Sequence, residues 1–264
     1  MVKNNTILKI LVALGFTAII AVNYLATALP IGGVTTGEAS DKLGNLFTPS
    51  GITFSIWGII YLLLLGYTIY QFGIGRDLAS SDKVKSDNTI RQYFIINSLA
   101  NISWIFSWHY GIVWLSVLMM IVLLVTLIKI ADIVNDQYLT GKDNLFIRLP
   151  FSVYFGWITV ATIANITAFL VSIKWNGFGM SEAAWTCLIL VIGLVIGILR
   201  MNKDRNSAYG LVFIWAYSGI LLKHLSASGF DGNYPYIIGT ILVCLAILFT
   251  SVARILFKKR VDIS

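Results

Sequence analysis

The sequence predicts an all-α membrane protein of about eight transmembrane helices with both termini cytoplasmic. Three observations carry this reading. Hydrophobic residues make up 58% of the 264 and charged residues only 12%, against about 25% charged in soluble domains, too few to cover a water-facing surface. Apolar runs bounded by charges or turn residues recur along the whole chain, and about 20 helical residues cross a bilayer core. Basic residues alternate in density from one connection to the next, as the positive-inside bias requires.

The first span is Ile7–Leu29. Lys3, Lys9 and the Ala26-Thr27-Ala28 run also fit a secretory signal peptide. The length of the run and its passage straight into Leu29-Pro30 favour a retained helix. An extended outer connection follows from Pro30 to Thr48, where Thr35-Thr36-Gly37-Glu38 has capping-box spacing and predicts a short interfacial helix. Thr48-Pro49 reads as an N-cap with proline at the first helical position, starting the second span, Pro49–Phe72. Gly73–Arg91 is polar and mixed in charge, which predicts a solvated connection. Tyr93–Trp108 and Ile112–Ile130 are the third and fourth spans, joined by the tight His109-Tyr110-Gly111 turn. Leu149–Ile173 is the fifth. Ser181-Glu182 caps the sixth, Ala183–Leu199, and Ala208–Leu222 and Tyr236–Leu256 complete the set. Lys258-Lys259-Arg260 reads as a cytoplasmic anchor.

The charges test both count and orientation. With eight spans, one side receives both termini and the connections after spans two, four and six. Those regions hold 16 of the 19 basic residues, and only Lys42, Lys174 and Lys223 fall on the other side. The same scatter among apolar runs argues that the net charge of +7 does not mark a nucleic-acid partner. Cys187 and Cys244 both lie in apolar runs, without metal-ligand spacing.

Charged groups at membrane depth are costly and usually functional. None sits near the middle of a span, which weighs against the usual carboxylate-coupled transporter and the voltage sensor. No paired carboxylates, Ser-His-Asp set or metal cluster is visible, so the chain does not read as an enzyme. His109 and His224 lie at the outer ends of spans three and seven. They could share a metal or a haem iron, although interfacial positions are common for histidine.

What the spans do carry is amides and aromatic rings at helical spacing. Asn97, Asn101, Trp104 and Trp108 share one face of the third span. Tyr154, Trp157, Ala161 and Asn165 share a face of the fifth, and Phe54, Trp57 and Tyr61 line up in the second. Two readings fit. The stripes are interhelical packing with Asn as polar glue, or they enclose a flat apolar ligand whose edge the amides and indole N–H groups fix. Gly193 and Gly197 form a GxxxG pair, read as helix packing and also offering a homodimer contact. Trp114, Trp175 and Trp185 fit an interfacial aromatic belt.

These motifs bring a resemblance. Pro49 followed by Trp57-Gly-Ile-Ile-Tyr61, then Asn97-Ser-Leu-Ala-Asn101-Ile-Ser-Trp104, then Trp157, Ala161 and Asn165 at four-residue spacing resemble the second, third and fifth helices of the TspO/MBR family. These are the tryptophan-rich sensory proteins related to the mitochondrial translocator protein. The resemblance implies a five-helix bundle over residues 1–173 that binds tetrapyrroles such as haem or protoporphyrin. Trp57, Tyr61, Asn97, Asn101, Trp104, Trp157 and Asn165 become the ligand-binding candidates. Asn97 stands where the family pattern has Gln, Gly51 where members usually carry another tryptophan, and Ser55-Ile56 where they carry a proline before the conserved tryptophan. Residues 174–264 add three further spans and a basic tail, as in longer related proteins that share the Thr-Thr-Gly-Glu loop.

The leading expectation is a cell-membrane receptor, sensor or carrier for a planar hydrophobic ligand, with haem or protoporphyrin as the ligand that the resemblance implies. The alternative is a transporter of a small uncharged or amphipathic solute using all eight helices, lined by Thr159, Thr162 and Asn165. Porphyrin breakdown is the one enzymatic exception that the resemblance carries.

Overall fold

The computed structural model describes residues 5–28, 31–73 and 81–261, with only the backbone for Ser81 and 258–261. Lys3, Leu29, Pro30 and Arg76 lie outside the described residues. So do the side chains of Lys258, Lys259 and Arg260. The described residues are helical throughout their regular structure, with no strand among them. Ten α-helices follow in order among the described residues: α1 Thr6–Ala28, α2 Thr36–Lys42, α3 Ile56–Tyr70, α4 Ser81–His109, α5 Val113–Asn135, α6 Gly141–Asp143, α7 Leu149–Ser172, α8 Glu182–Asp204, α9 Ser207–Leu225 and α10 Pro235–Val261. Among the described residues seven stretches are long and apolar enough to cross a membrane. The apolar C-terminal part of α4 makes an eighth span, so the chain is an all-α membrane protein of about eight spans.

Two boundaries differ from the sequence expectation. The region ahead of Tyr93 is not a loop from Ser81 onward but three turns of polar helix continuous with the third span. Its polarity has a use inside the protein. Arg91 is 1% exposed, and it donates from Nε to Gln71 Oε1 at 3.2 Å and from Nη1 to Asn88 Oδ1 at 2.7 Å. Gln71 in turn donates to the Lys9 carbonyl at 3.3 Å. Charged residues at this spacing read as solvated, but a guanidinium with enough acceptors is tolerated in a packed site. The second span likewise begins later than Pro49, with a 3-10 turn Gly51–Ser55 leading into α3. Ser50 gives its backbone N–H to the Gly219 carbonyl at 3.0 Å, and Thr53 bonds back to the Ser50 carbonyl at 2.9 Å as the 3-10 turn opens.

The chain divides into two compact units, residues 1–36 with 56–158, and 37–55 with 159–264. In the first, α4 packs on α1 and α5, and α1 also packs on α3. Asn5 caps α1 by accepting from the Ile7 N–H at 3.0 Å. Val12, Phe16 and Ile19 form its buried face. Gly15 lets α4 approach closely, since a Cβ there would stand 3.1 Å from Ser98. Asn97 donates to the α5 residue Thr126 at 2.8 Å and to the Leu123 carbonyl at 3.2 Å, polar glue of the kind that spans use. The α4–α5 connection closes on Gly111 at φ 70°, as the tight turn predicts. Thr140 and Asp143 form a capping box around α6. Asp143 also pairs with Lys83 and accepts from the Tyr70 hydroxyl at 3.1 Å.

In the second unit, α9 and α10 pack on each other and on α8. Gly193 and Gly197 are occupied within the chain. A Cβ on Gly193 would lie 2.6 Å from the Tyr217 hydroxyl and one on Gly197 2.8 Å from the Phe213 ring. Ser181 caps α8 by accepting from the Ala184 N–H at 3.2 Å, as expected. Residues 41–53 are fastened to α9 by polar contacts. His224 Nε2 donates to the Leu46 carbonyl at 2.8 Å, Trp215 Nε1 to the Thr53 carbonyl at 2.9 Å, and Lys223 pairs with Asp41 at 3.0 Å.

Candidate functional site

The first unit gathers most of the aromatic and amide candidates around one side chain, Trp57. This residue lies in the first turn of α3 and is 8% exposed. One turn later on the same face, Tyr61 stacks on it at 5.5 Å with planes 22° apart. Trp104 of α4 stands 6.1 Å away, and Tyr154 and Trp157 of α7 meet it edge-on at 5.9 and 6.3 Å. Trp108, one turn beyond Trp104, stacks on it at 6.1 Å and 19°. Three helices thus direct one stripe each at the same place, because i, i+3 and i+4 positions share a helix face.

A chain of side-chain amides runs beside the rings. Asn23 of α1 donates to Asn101 Oδ1 at 3.1 Å, and Asn101 donates to the Tyr154 hydroxyl at 3.1 Å. Asn101 is completely buried, so this chain fixes the tilt of Tyr154 against Trp57.

Two polar atoms in the cluster have no hydrogen-bond partner among the described residues, the Tyr61 hydroxyl and Trp104 Nε1. Trp104 is 4% exposed. A buried donor left without an acceptor costs about 1–3 kcal/mol, and such groups in a native fold call for an explanation. At the end of α4, Trp108 Nε1 donates to the Thr36 carbonyl at 3.3 Å. Beside it, His109 donates from Nδ1 to the Ile105 carbonyl at 2.8 Å, which leaves Nε2 to accept from the Thr36 hydroxyl at 3.5 Å. His109 stands just beyond the membrane-spanning part of α4. Burial holds its imidazole below the ordinary pKa, against an upward pull from the Ile105 carbonyl.

Of the sequence candidates, Trp57, Tyr61, Asn101, Trp104 and Trp157 come together. Asn97 turns instead to α5. Asn165, 3% exposed, lies two turns beyond Trp157 on α7 and belongs to the second unit. Phe54 also belongs to that unit, where its ring lies near Gly37. Sequence reasoning missed Asn23, although a single Asn within the apolar α1 run was a usable signal. Tyr154 lay on the predicted stripe, but its hydroxyl role could not be read from spacing. Among the described residues no group of three or more His, Cys, Asp or Glu could hold a metal ion.

The fold is that of a multi-pass, all-α membrane protein. The chain matches the sequence model of the TSPO-like protein family over residues 9–254, and it belongs to that family. The match runs through the three helices that follow residue 173. No curated protein and no solved structure matches the chain.

Proposed function

We propose that the chain is a receptor or carrier for a planar hydrophobic ligand, with a tetrapyrrole such as haem or protoporphyrin as the class that fits best. The observation that carries this reading is the pair of unpartnered donors, Tyr61 OH and Trp104 Nε1, in a nest where four large rings surround Trp57. A flat macrocycle offers its faces to indole stacking and its carboxylate or carbonyl edge to those two donors. Family membership supports a binding role, since TSPO-like proteins are in general membrane sensors or binding proteins rather than enzymes. The charge alternation supports both termini facing the cytoplasm, and the cell membrane is the location this reading assigns.

Titration of protoporphyrin IX into the purified protein, followed by tryptophan quenching and the Soret band, tests the reading. Wild type binds saturably, and Trp104→Ala with Asn101→Ala weakens binding by at least about tenfold. Absence of saturable binding, or identical curves for wild type and variant, defeats it.

A second reading, passage of a small uncharged or amphipathic solute, draws on the buried polar row Thr159, Thr162 and Asn165 of α7. Tyr209 extends that row by donating to Thr159 Oγ1 at 3.1 Å. Uptake into proteoliposomes that is lost in Thr159→Val and Asn165→Leu would favour it over a closed receptor.

A further inference from the structure

The second unit contains a cavity of about 440 Å³, within the usual range for small-ligand pockets, about 300–1,000 Å³. Segment 44–46, the end of α7, the 173–181 connection and the start of α8 line it. Nothing in the ring cluster around Trp57 contributes to it.

The connection closes on a left-handed residue other than glycine, as the one after α8 does at Arg205. α7 ends in a Schellman motif, with Trp175 N–H on the Leu170 carbonyl at 3.0 Å and Lys174 N–H on the Val171 carbonyl at 2.9 Å. The left-handed position of that motif normally takes glycine. After α4 the same motif does take one, Gly111, with Ile112 N–H on the Ser107 carbonyl at 2.8 Å. After α7 the position holds Lys174 at φ 56°, a conformation that costs an ordinary residue about 1–2 kcal/mol. Strain of this kind collects at ligand sites, and Lys174 lines the cavity.

A charge of opposite sign faces the same space. Glu182, the first residue of α8, also lines the cavity, and neither Glu182 nor Lys174 has an ion-pair partner among the described residues. Trp185 lies three residues along, on the same helix face as Glu182. Its ring meets Trp175 at 4.7 Å and 66°, forming an aromatic corner. Asn45 is 5% exposed. Its Oδ1 accepts from the Phe47 N–H at 3.0 Å, its amide N–H groups have no partner among the described residues, and the residue lines the cavity. At the rim, Val171 and Met180 are apolar yet 40% and 39% exposed.

We propose that this cavity binds the zwitterionic ammonium–phosphate headgroup of a phospholipid. The ammonium sits in the Trp175–Trp185 corner beside Glu182, where ring faces and a carboxylate both attract a cation. The phosphate takes the Lys174 ammonium and the Asn45 amide. Acyl chains leave over Val171 and Met180. Both charges are required, which separates this headgroup from a purely anionic one.

Native mass spectrometry of the detergent-solubilised protein, given equal phosphatidylcholine and phosphatidylglycerol of the same chain length, tests the proposal. One phosphatidylcholine is retained per chain, preferred by at least about tenfold. Glu182→Gln, which leaves the Ser181 cap intact, brings that preference to near parity. Lys174→Gly lowers retention while thermal stability holds or rises, because glycine accepts the left-handed position. Equal retention of the two lipids by wild type overturns the proposal, as does unchanged preference in both variants. Calorimetric titration of free phosphocholine distinguishes the sources. No binding is expected up to millimolar concentration, and saturable binding without retained lipid assigns the cavity to a soluble zwitterion and overturns the lipid assignment.

Discussion

Asn101 donates its side-chain amide to the Tyr154 hydroxyl at 3.1 Å while accepting from Asn23, so α1, α4 and α7 meet through a single buried residue. Removing that amide leaves two partners unsatisfied. Asn101→Ala is expected to destabilise the first unit by about 1–3 kcal/mol. Tyr154→Phe removes only one end of the chain and costs less. The double variant should cost clearly less than the sum, because the two residues share one interaction. Unfolding in mixed micelles by sodium dodecyl sulfate titration measures all three, and strict additivity would dissolve the chain as a unit.

The close approach of α8 and α9 rests on missing side chains. Gly197→Ala places a methyl against the Phe213 ring, and overpacking of this kind costs about 1–3 kcal/mol. Gly239→Ala on α10 meets nothing within contact distance and serves as the matched control, neutral or mildly stabilising. The same unfolding titration compares them. Equal effects would show that the Gly193/Gly197 face is not a packing seam.

A pH effect is expected at His109. Its pKa is lowered in the folded chain, so the folded state favours the neutral ring whose Nε2 accepts from Thr36. The stability that this contributes is fully present above the ordinary histidine value of about 6.5. It is lost as pH falls from there through the lowered value. Thermal stability of wild type should therefore drop between about pH 7 and 5 by more than that of His109→Gln. Parallel profiles for the two proteins would remove His109 as the cause.

The turn after α4 gives a backbone test. Gly111 sits at φ 70°, and Gly111→Ala should cost about 1–2 kcal/mol, while Ala at a helical glycine with free space should not. Hydrogen exchange at the Ile112 amide, bonded to the Ser107 carbonyl, reports the local loss.

Much of this was legible in the sequence, for identifiable reasons. Span positions followed from apolar run length, and the His109–Gly111 turn and the Ser181 cap from residue chemistry that acts locally. The convergence of Trp57, Tyr61, Trp104 and Trp157 followed from helical spacing joined to family pattern. Other features depend on partners distant in the chain. Ser81–Arg91 reads as solvated until Gln71 is seen to meet Arg91, and the bond from the Ser50 N–H to the Gly219 carbonyl joins residues far apart in the chain. Asn97 and Asn101 sit one turn apart in the same motif. Only packing decides that one faces Thr126 and the other Tyr154. The strained Lys174 leaves no mark in a sequence, since its left-handed backbone is a property of the fold.

The most direct measurement of the ring cluster as a ligand site is photo-oxidation mapping. Bound protoporphyrin IX, on brief illumination, generates oxidants that attack the tryptophans nearest to it, and peptide mass spectrometry locates the products. Trp57, Trp104 and Trp108 should oxidise first at substoichiometric ligand, although they are buried, and ahead of Trp114, which is 61% exposed. Oxidation led by Trp114 or by Trp175 and Trp185, with the Trp57 cluster spared, would place the ligand elsewhere and contradict the account.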